Sequence, residues 1–582
     1  MEDNGLDACI IPSTDPHMGE YIPRHWAARE WVSGFTGSAG TVVITRDFAG
    51  LWTDSRYFLQ AEEQLRGSGI KLVKLRIPHT PEYVDWLAQN LEEGSRVSVD
   101  GNVISLTSAR HIRSVFKEKG ISLVTDIDIP AKVWTERPGL PPEPVFNHDV
   151  KYAGESRESK ICRLREEMKK ENAAYLLICA LDEVAWLFNL RGRDIPFNPV
   201  FVSYALITLN DAILFIDPDK VGCELLNRLQ DEGIGVMAYD DIIKVLMGLE
   251  GRPVIMLDPG KTNYSVCSSI PSFFKIKEGL GPVTRMKAIK NQTEINGLRN
   301  VMVKDGIAWV RFLHWIEASL GKTRITELSA AEKLDSFRAE QELYQGASFH
   351  PISSFAHHGA VVHYSVNEDS DIELKHGNIY LCDTGGHYLD GTTDTTRTIT
   401  LGEATAQQKT DFTLALKGTL GVSMMRFPAG TRGYQLDILA RKALWEHGLN
   451  YGHGTGHGVG FFLNVHEGPQ TIGTGASGHM NTPLEPGMVT TVEPAIYRDG
   501  EYGMRTENIT LVIEDMENEY GSFLRFETLT LAPIDLELID YSLLDNQEKQ
   551  WLNDYHEMVL EKIGPSLGED ELEWLRHKTR KI

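Results

Sequence analysis

Five side chains able to hold hard cations fall within 125 residues of this chain: Asp383 and Asp394 in CDTGGHYLDGTTDTTRT, His457 in HGTGHGVG, and Glu493 and Glu507 in VEPAIYRDGEYGMRTEN. Four carboxylates and one imidazole gathered in a water-poor cleft must take up protons or collect cations, because their mutual repulsion has nothing else to offset it. A carboxylate can bind one metal or bridge two, so such a set can hold two divalent ions about 3.5 to 4 Å apart, the arrangement of many hydrolases. Oxygen-rich ligation with one nitrogen suits Mn²⁺, with Co²⁺ or Zn²⁺ able to substitute. The chemistry expected is metal-assisted hydrolysis.

Each piece taken alone has an ordinary explanation. Asp-Gly and Asp-Thr are common turn residues, GHG can be a glycine-rich loop, and glutamate usually sits on a solvated strand. Order and spacing together carry the metal-centre expectation.

The elements that must position these residues can be traced. Asp383 and Asp394 are expected on consecutive strands joined by GGHYLDG, and Glu493 and Glu507 on another pair turning near Arg498-Asp499-Gly500, so that two hairpins supply two carboxylates each. Upstream, Ile295, Leu298, Met302, Trp309, Phe312 and Ile316 are spaced for one face of a long helix. Thr405 and Gln408 have capping-box spacing for a helix that stops by Phe427-Pro428-Ala429-Gly430, and another helix is expected from about Gly433 to His447.

The N-terminal half reads as alternating strands and helices. LDACIIP, TVVIT and KLVKLR are strand-like, whereas RYFLQAEEQL and TPEYVDWLAQNL are helical. Proline-dense RPGLPPEP, Arg137 to Pro144, marks a linker. Beyond it the same order of elements returns, and SRVSVDGNVISLTSARHI lines up with RPVIMLDPGKTNYSVCSSI, which predicts two related α/β domains in tandem. The second copy is preceded by the amphipathic SKICRLREEMKKEN, and the first is expected to lack that opening helix. The expected division is residues 1–136, 137–281 and 282–582.

Composition excludes several classes. The 582 residues are too many for one core, and 42% apolar with 24% charged residues is ordinary for a compact soluble protein. A net charge of −24 repels phosphate backbones and anionic headgroups, so neither nucleic acid nor a membrane is an expected partner. The start, MEDNG, has no basic and apolar leader, and no stretch is apolar enough to span a bilayer. Six scattered cysteines without a CxxC pair are expected as reduced core thiols, which suits a cytoplasmic location.

The pattern D-x10-D, HGTGHGVG, E-x13-E resembles the pita-bread metallopeptidases, and GFTGSAG, LWTDSRYFLQA, LDEVAWLFNLRG and HGTGHGVGFFLNVHEGP narrow the likeness to the long, three-domain aminopeptidase P group of the cytosolic kind. The resemblance covers essentially the whole chain, including its tail. It implies two creatinase-like α/β domains followed by a pita-bread catalytic domain, a homodimer, and removal of an N-terminal residue from peptides with proline second, by a hydroxide bridging two metals. It implies that Asp383 binds one metal, that Asp394 and Glu507 bridge, and that His457 and Glu493 bind the other. Glu493 would also act as acid/base. His363 and His466 would act on the substrate carbonyl or leaving nitrogen, and His453 and Arg505 would shape the prolyl pocket. His357 and His358 match nothing in the group and are expected as surface or loop residues; Tyr497 either contacts substrate or packs.

Competing expectations are a prolidase, which has the same ligands but takes only dipeptides, and a non-catalytic pita-bread protein that binds peptides. The intact ligand set disfavours the latter, and disfavours creatinase-like chemistry equally.

Overall fold

The tandem repeat is present strand for strand. In the computed structural model, which describes residues 1–77, 80–475 and 481–582, the first six-stranded sheet runs in the order Lys71–Lys74, Ala49–Thr53, Thr41–Thr45, Ala8–Ile11, Arg96–Ser98, Ser122–Val124. The second runs Ile234–Met237, Ala212–Phe215, Tyr204–Thr208, Tyr175–Ile178, Val254–Leu257, Lys275–Glu278. Parallel and antiparallel pairings occur in the same sequence in both sheets. The aligned segments meet symmetrically. Leu106 N–H donates to Thr262 O and Tyr264 N–H to Ile104 O, each at 2.9 Å, while Thr107 donates to Pro259 O and Ser265 to Gly101 O, each at 3.0 Å. Ser105 and Asn263, equivalent residues of the two repeats, each cap the helix that follows, and they face each other across this bridge.

Ahead of its opening strand the first repeat has only a short 3₁₀ turn, Glu2–Asn4, whereas the second has the helix Arg157–Lys170, capped by Ser156. Residues 137–145, where proline was expected to break the pattern, carry no regular structure. Four cysteines are buried, but Cys162 and Cys223 are exposed, so these two are not core thiols. Both lie on helices with many charged residues, whose outer faces a small thiol can occupy without cost.

The chain divides into two compact units, Met1–Asp149 with Glu155–Thr284, and Val150–Gly154 with Arg285–Ile582. The second unit is built on the expected long helix, Gln292–Ser319, whose Asn291 and Glu294 form a capping box. Leu298, Val301 and Met302 on this helix are buried against Phe412 and Leu416 of helix Ala406–Ser423 and against the sheet residues Val489, Ile509 and Leu511. Burial of each such side chain contributes roughly 1.5 to 3 kcal/mol. Gly306 lets the tail approach, since a Cβ there would lie 2.5 Å from the Leu531 carbonyl oxygen. The tail closes the core with helices Asn546–Ile563 and Glu569–Lys578, which bury Leu552, Tyr555, Val559, Ile563 and Leu575.

Within this tail His556 is buried, and its Nε2 accepts the Ile534 N–H at 3.1 Å. Burial, with Arg397 and Arg580 nearby, lowers its pKa from 6.5 to about 3. The folded state therefore refuses a proton that the unfolded chain accepts, and stability is lost as pH falls from 6.5 toward 3, by up to about 1.4 kcal/mol per pH unit. His556→Gln is expected to flatten this slope in melting temperatures measured between pH 7 and pH 4; an unchanged slope would refute the assignment.

Candidate metal centre

All four acids sit where a long β-ladder gives way to a crossing hairpin. Strand Asn378–Thr384 pairs with Thr395–Leu401 until Thr384 meets Thr395, and between them Gly386–Tyr388 pairs with Gly391–Thr392. Asp383 lies on the first strand, whereas Asp394 lies one residue before the second, in the break. The other half repeats this plan. Val489–Val492 pairs with Asn508–Asn518 until Val492 meets Asn508, and Ala495–Arg498 pairs with Tyr502–Arg505 in between. Glu493 and Glu507 sit just past that last pair. Three of the four acids are thus off the strands on which they were expected, because each ladder stops where the hairpin between its two strands begins.

His457 lies on the short strand Gly456–Gly458, beside Val489–Val492. Its Nδ1 is 2.9 Å from the Gly458 carbonyl oxygen, which can only accept, so Nδ1 carries the hydrogen. The Nε2 lone pair then faces Asp394 Oδ2 at 3.4 Å and Glu493 Oε1 at 3.7 Å. Ligand atoms of Asp394, His457 and Glu507 all lie within 4.8 Å of one another. A lone pair aimed at two carboxylates needs a cation between them, and a proton or a divalent ion would serve.

The electrostatics point the same way. Burial, then the charges of Asp394, Glu493 and Asp383, push Glu507 well above the usual carboxylate range. Burial, with Asp394 and Asp383 adding to it, pushes Glu493 up to about 7. His457 is pulled down by burial but carried up to about 9 by Asp394 and Glu493. Asp383 is raised by burial and by Asp394 against the pull of Arg505. Arg505 Nη2 donates to Asp383 Oδ2, while Asp383 Oδ1 is buried without a hydrogen-bond partner among the described residues. An orphaned carboxylate oxygen and an oxygen-rich donor set with one nitrogen fit divalent ions.

Arg505 is also the start of a polar line. Its Nη1 donates to Tyr497 Oη at 2.6 Å, and Tyr497 Oη is 3.0 Å from His453 Nε2. His453 Nδ1 lies 2.7 Å from the Gly454 carbonyl oxygen and so carries the hydrogen, leaving Nε2 to accept from the tyrosine hydroxyl. Burial, reinforced by Arg505, holds the His453 pKa well below 6.5, in keeping with a neutral ring. Tyr497 therefore does more than pack: it links His453 to Arg505. The His466 ring stands edge-on to that of His457 with centroids 4.4 Å apart. His363 follows the turn Ala356–Ala360, close enough to His453 for their charges to interact.

His358 departs from the sequence expectation. It is half-buried, with Nδ1 3.0 Å from both Glu327 oxygens, and it stacks on Tyr364, whose hydroxyl donates to Glu327 at 2.9 Å. Buried Glu327 thus ties down the loop that carries His363, while His357 is exposed. The turn Ala356–Ala360 also presses on the Tyr497 hairpin, since a Cβ at Gly503 would lie 1.8 Å from the Gly359 carbonyl oxygen. Gly503→Ala is expected to displace this turn, raising KM about 10-fold or more while leaving the stoichiometry of bound ions unchanged; an unaltered KM would refute it.

Several supporting residues escaped the sequence analysis. Thr396 Oγ1 donates to Glu507 Oε2 at 2.8 Å and accepts from Arg505 Nε at 3.0 Å, and Thr398 Oγ1 accepts the Arg505 N–H at 3.1 Å. The alternation Thr396, Thr398 on one strand was the available signal. Asp437 and Arg441, a buried pair on helix Gly433–Glu446, hold Thr455 Oγ1 and the carbonyls of Tyr451 and His453. Nothing local in sequence marks them.

Comparison with known proteins identifies the family. A profile described as Creatinase/Prolidase N-terminal domain matches residues 1–131, and a second of the same description matches residues 136–294. Metallopeptidase family M24 matches residues 296–514, and the C-terminal region of peptidase_M24 matches residues 522–582. The chain is 41% identical to a probable Xaa-Pro aminopeptidase P of Laccaria bicolor, over 99% of this chain and 91% of the relative. A protein of the same description from Paracoccidioides brasiliensis is 41% identical, over 100% of this chain and 97% of the relative. The crystal structure of X-prolyl aminopeptidase from Caenorhabditis elegans, described as a cytosolic enzyme with a di-nuclear active site, superposes with a TM-score of 0.94 at 36% identity, covering 99% of this chain and 95% of that one. Fold and site together define a class, the M24 metallopeptidases of pita-bread fold preceded by two creatinase-type domains. Within that class the chain belongs to the Xaa-Pro aminopeptidase P family.

Proposed function

We propose that this chain removes the N-terminal residue from peptides whose second residue is proline, with Asp383, Asp394, His457, Glu493 and Glu507 holding two divalent ions, Mn²⁺ in preference to Co²⁺ or Zn²⁺. The observation that carries the reading is the meeting of Asp394, His457 and Glu507 ligand atoms within 4.8 Å, beside the line from Arg505 through Tyr497 to His453. Two bound divalent ions supply a water-derived nucleophile at neutral pH and offset the carboxylate charge.

The chain's own residues account for the rest. A proline nitrogen has no hydrogen and leaves as an amine only when a proton reaches it, and Glu493, between His457 Nε2 at 3.7 Å and Arg505 Nε at 4.0 Å, is placed to pass one. His363 and His466 donate hydrogen bonds as charge builds on the carbonyl oxygen or the leaving nitrogen. His453, fixed as a neutral ring by Gly454 and Tyr497, and Arg505 line the prolyl side.

The working assembly in this reading is a homodimer in the cytoplasm, built from domains 1–136, 137–281 and 282–582. No described helix is long and apolar enough to cross a membrane. Hydrolysis of Arg-Pro-Pro and Arg-Pro, compared side by side, tests the reading. Release of arginine from the tripeptide is expected, whereas cleavage of the dipeptide alone would make the chain a prolidase.

A further inference from the structure

Arg397 sits on the strand that carries Thr396 and Thr398, and its side chain takes the opposite face, where it is buried. Every donor of its guanidinium goes to a neutral oxygen. Nη1 reaches the carbonyl oxygens of Thr396 at 2.8 Å and Glu507 at 2.6 Å. Nη2 reaches Asn508 Oδ1, Tyr555 Oη and Ala532 O at 2.8, 2.8 and 2.9 Å, and Nε reaches Ala532 O at 3.2 Å. A buried cation without a carboxylate partner among the described residues is costly unless its surroundings are negative, and on the opposite face of the same strand Thr396 holds the carboxylate of Glu507.

The two carbonyls on Nη1 belong to the two halves of the site. The Thr396 peptide follows Asp394 by two residues, and the Glu507 carbonyl belongs to a ligand itself. One nitrogen therefore clamps together the two backbones from which Asp394 and Glu507 project, adding to the direct hydrogen bond between them, from the Glu507 N–H to the Thr396 carbonyl oxygen at 3.2 Å. The guanidinium is held from behind by the tail: Tyr555 Oη donates to Ala532 O at 2.8 Å and lies 3.1 Å from Thr530 O, and the Trp551 ring stacks on Tyr555 at 5.2 Å.

We propose that the C-terminal region, residues 522–582, is a positioning element of the metal centre, acting through Tyr555 and Arg397 to set the spacing of Asp394 and Glu507. This rests on the reading that Asp394 and Glu507 bind the ions, and it gives the tail a part in metal binding beyond closing a core. Tyr555 and Arg397 are positioning residues and touch neither substrate nor ion.

The test is calorimetric titration of chelated full-length chain with Mn²⁺, with the absorption spectrum of the Co²⁺-loaded form as a second readout. Tyr555→Phe is expected to weaken ion binding about 10-fold, the loss usual when a partner behind a ligand is removed, and to alter the Co²⁺ spectrum. Val559→Ala is the control, because it opens a cavity in the same helix without touching these hydrogen bonds. It is expected to lower the melting temperature and leave affinity and spectrum unchanged. Wild-type chain that binds fewer than two ions would overturn the proposed function. Wild type binding two ions, with Tyr555→Phe within twofold of it or with Val559→Ala weakened equally, would overturn this inference alone.

Discussion

Glu507→Ala is expected to leave a folded chain that holds fewer than two divalent ions and hydrolyses its peptide about 1000-fold more slowly. Glu507 is buried, its carboxylate belongs to the three-residue cluster with Asp394 and His457, and Thr396 aims it. If Glu507 helps hold the ions as proposed, its loss would remove transition-state charge stabilisation on the order of 4 kcal/mol, and each 1.36 kcal/mol is tenfold in rate. Stability should move the other way. In chelator the wild-type chain keeps four crowded acids, whereas the variant keeps three, so the metal-free variant is expected to melt higher than the metal-free wild type. Metal analysis with melting curves in chelator checks both; a metal-free variant that melts lower would show that Glu507 serves the fold more than the site.

Arg338→Leu is expected to cost about 3 to 5 kcal/mol of stability, because it strands the buried charge of Asp305. Arg338 and Asp305 are both almost wholly buried, with Arg338 Nε 2.6 Å from Asp305 Oδ1. The same guanidinium donates to Thr384 Oγ1 at 2.7 Å and to the Thr384 carbonyl oxygen at 3.2 Å, next to Asp383. Replacing both members with leucine should cost less than Arg338→Leu alone, since no uncompensated charge then remains. Urea midpoints of the single and double variants decide this. A double variant less stable than the single one would mean that the hydrogen bonds to Thr384 outweigh the ion pair.

Much of the second unit could be read locally. Thr405 with Gln408 announces a helix by a capping box that the structure contains. The core face from Leu298 to Ile316 follows from helical spacing. The repeat in the first unit was visible because the segments around Asp100 and Asp258 align, and the mirrored hydrogen bonds between them show why both copies keep the same turn.

What stayed hidden depends on contacts distant in sequence. That Asp394, Glu493 and Glu507 lie beyond their strands follows from each ladder stopping where a hairpin crosses it, which strand propensity does not encode. Arg397 reaches Tyr555 across 158 residues, and Arg505 reaches Asp383 across 122, so neither partner is marked in its own neighbourhood. Tyr497 could have been tied to Arg505 by hairpin register, since Tyr497 pairs with Gly503 and Arg505 with Ala495, which places both side chains on one face. The exposed Cys162 and Cys223 show the limit of inferring burial from residue type, because their helices turn those positions outward.

Two ions held by these five side chains are expected to drive cleavage before proline. Titration of fully chelated chain with Mn²⁺, following arginine release from Arg-Pro-Pro at each addition, tests it most directly. The expected curve rises from no activity to a plateau at two equivalents per chain. Activity that survives chelation, or that never appears when both sites are filled, would show that these ions do not drive the reaction.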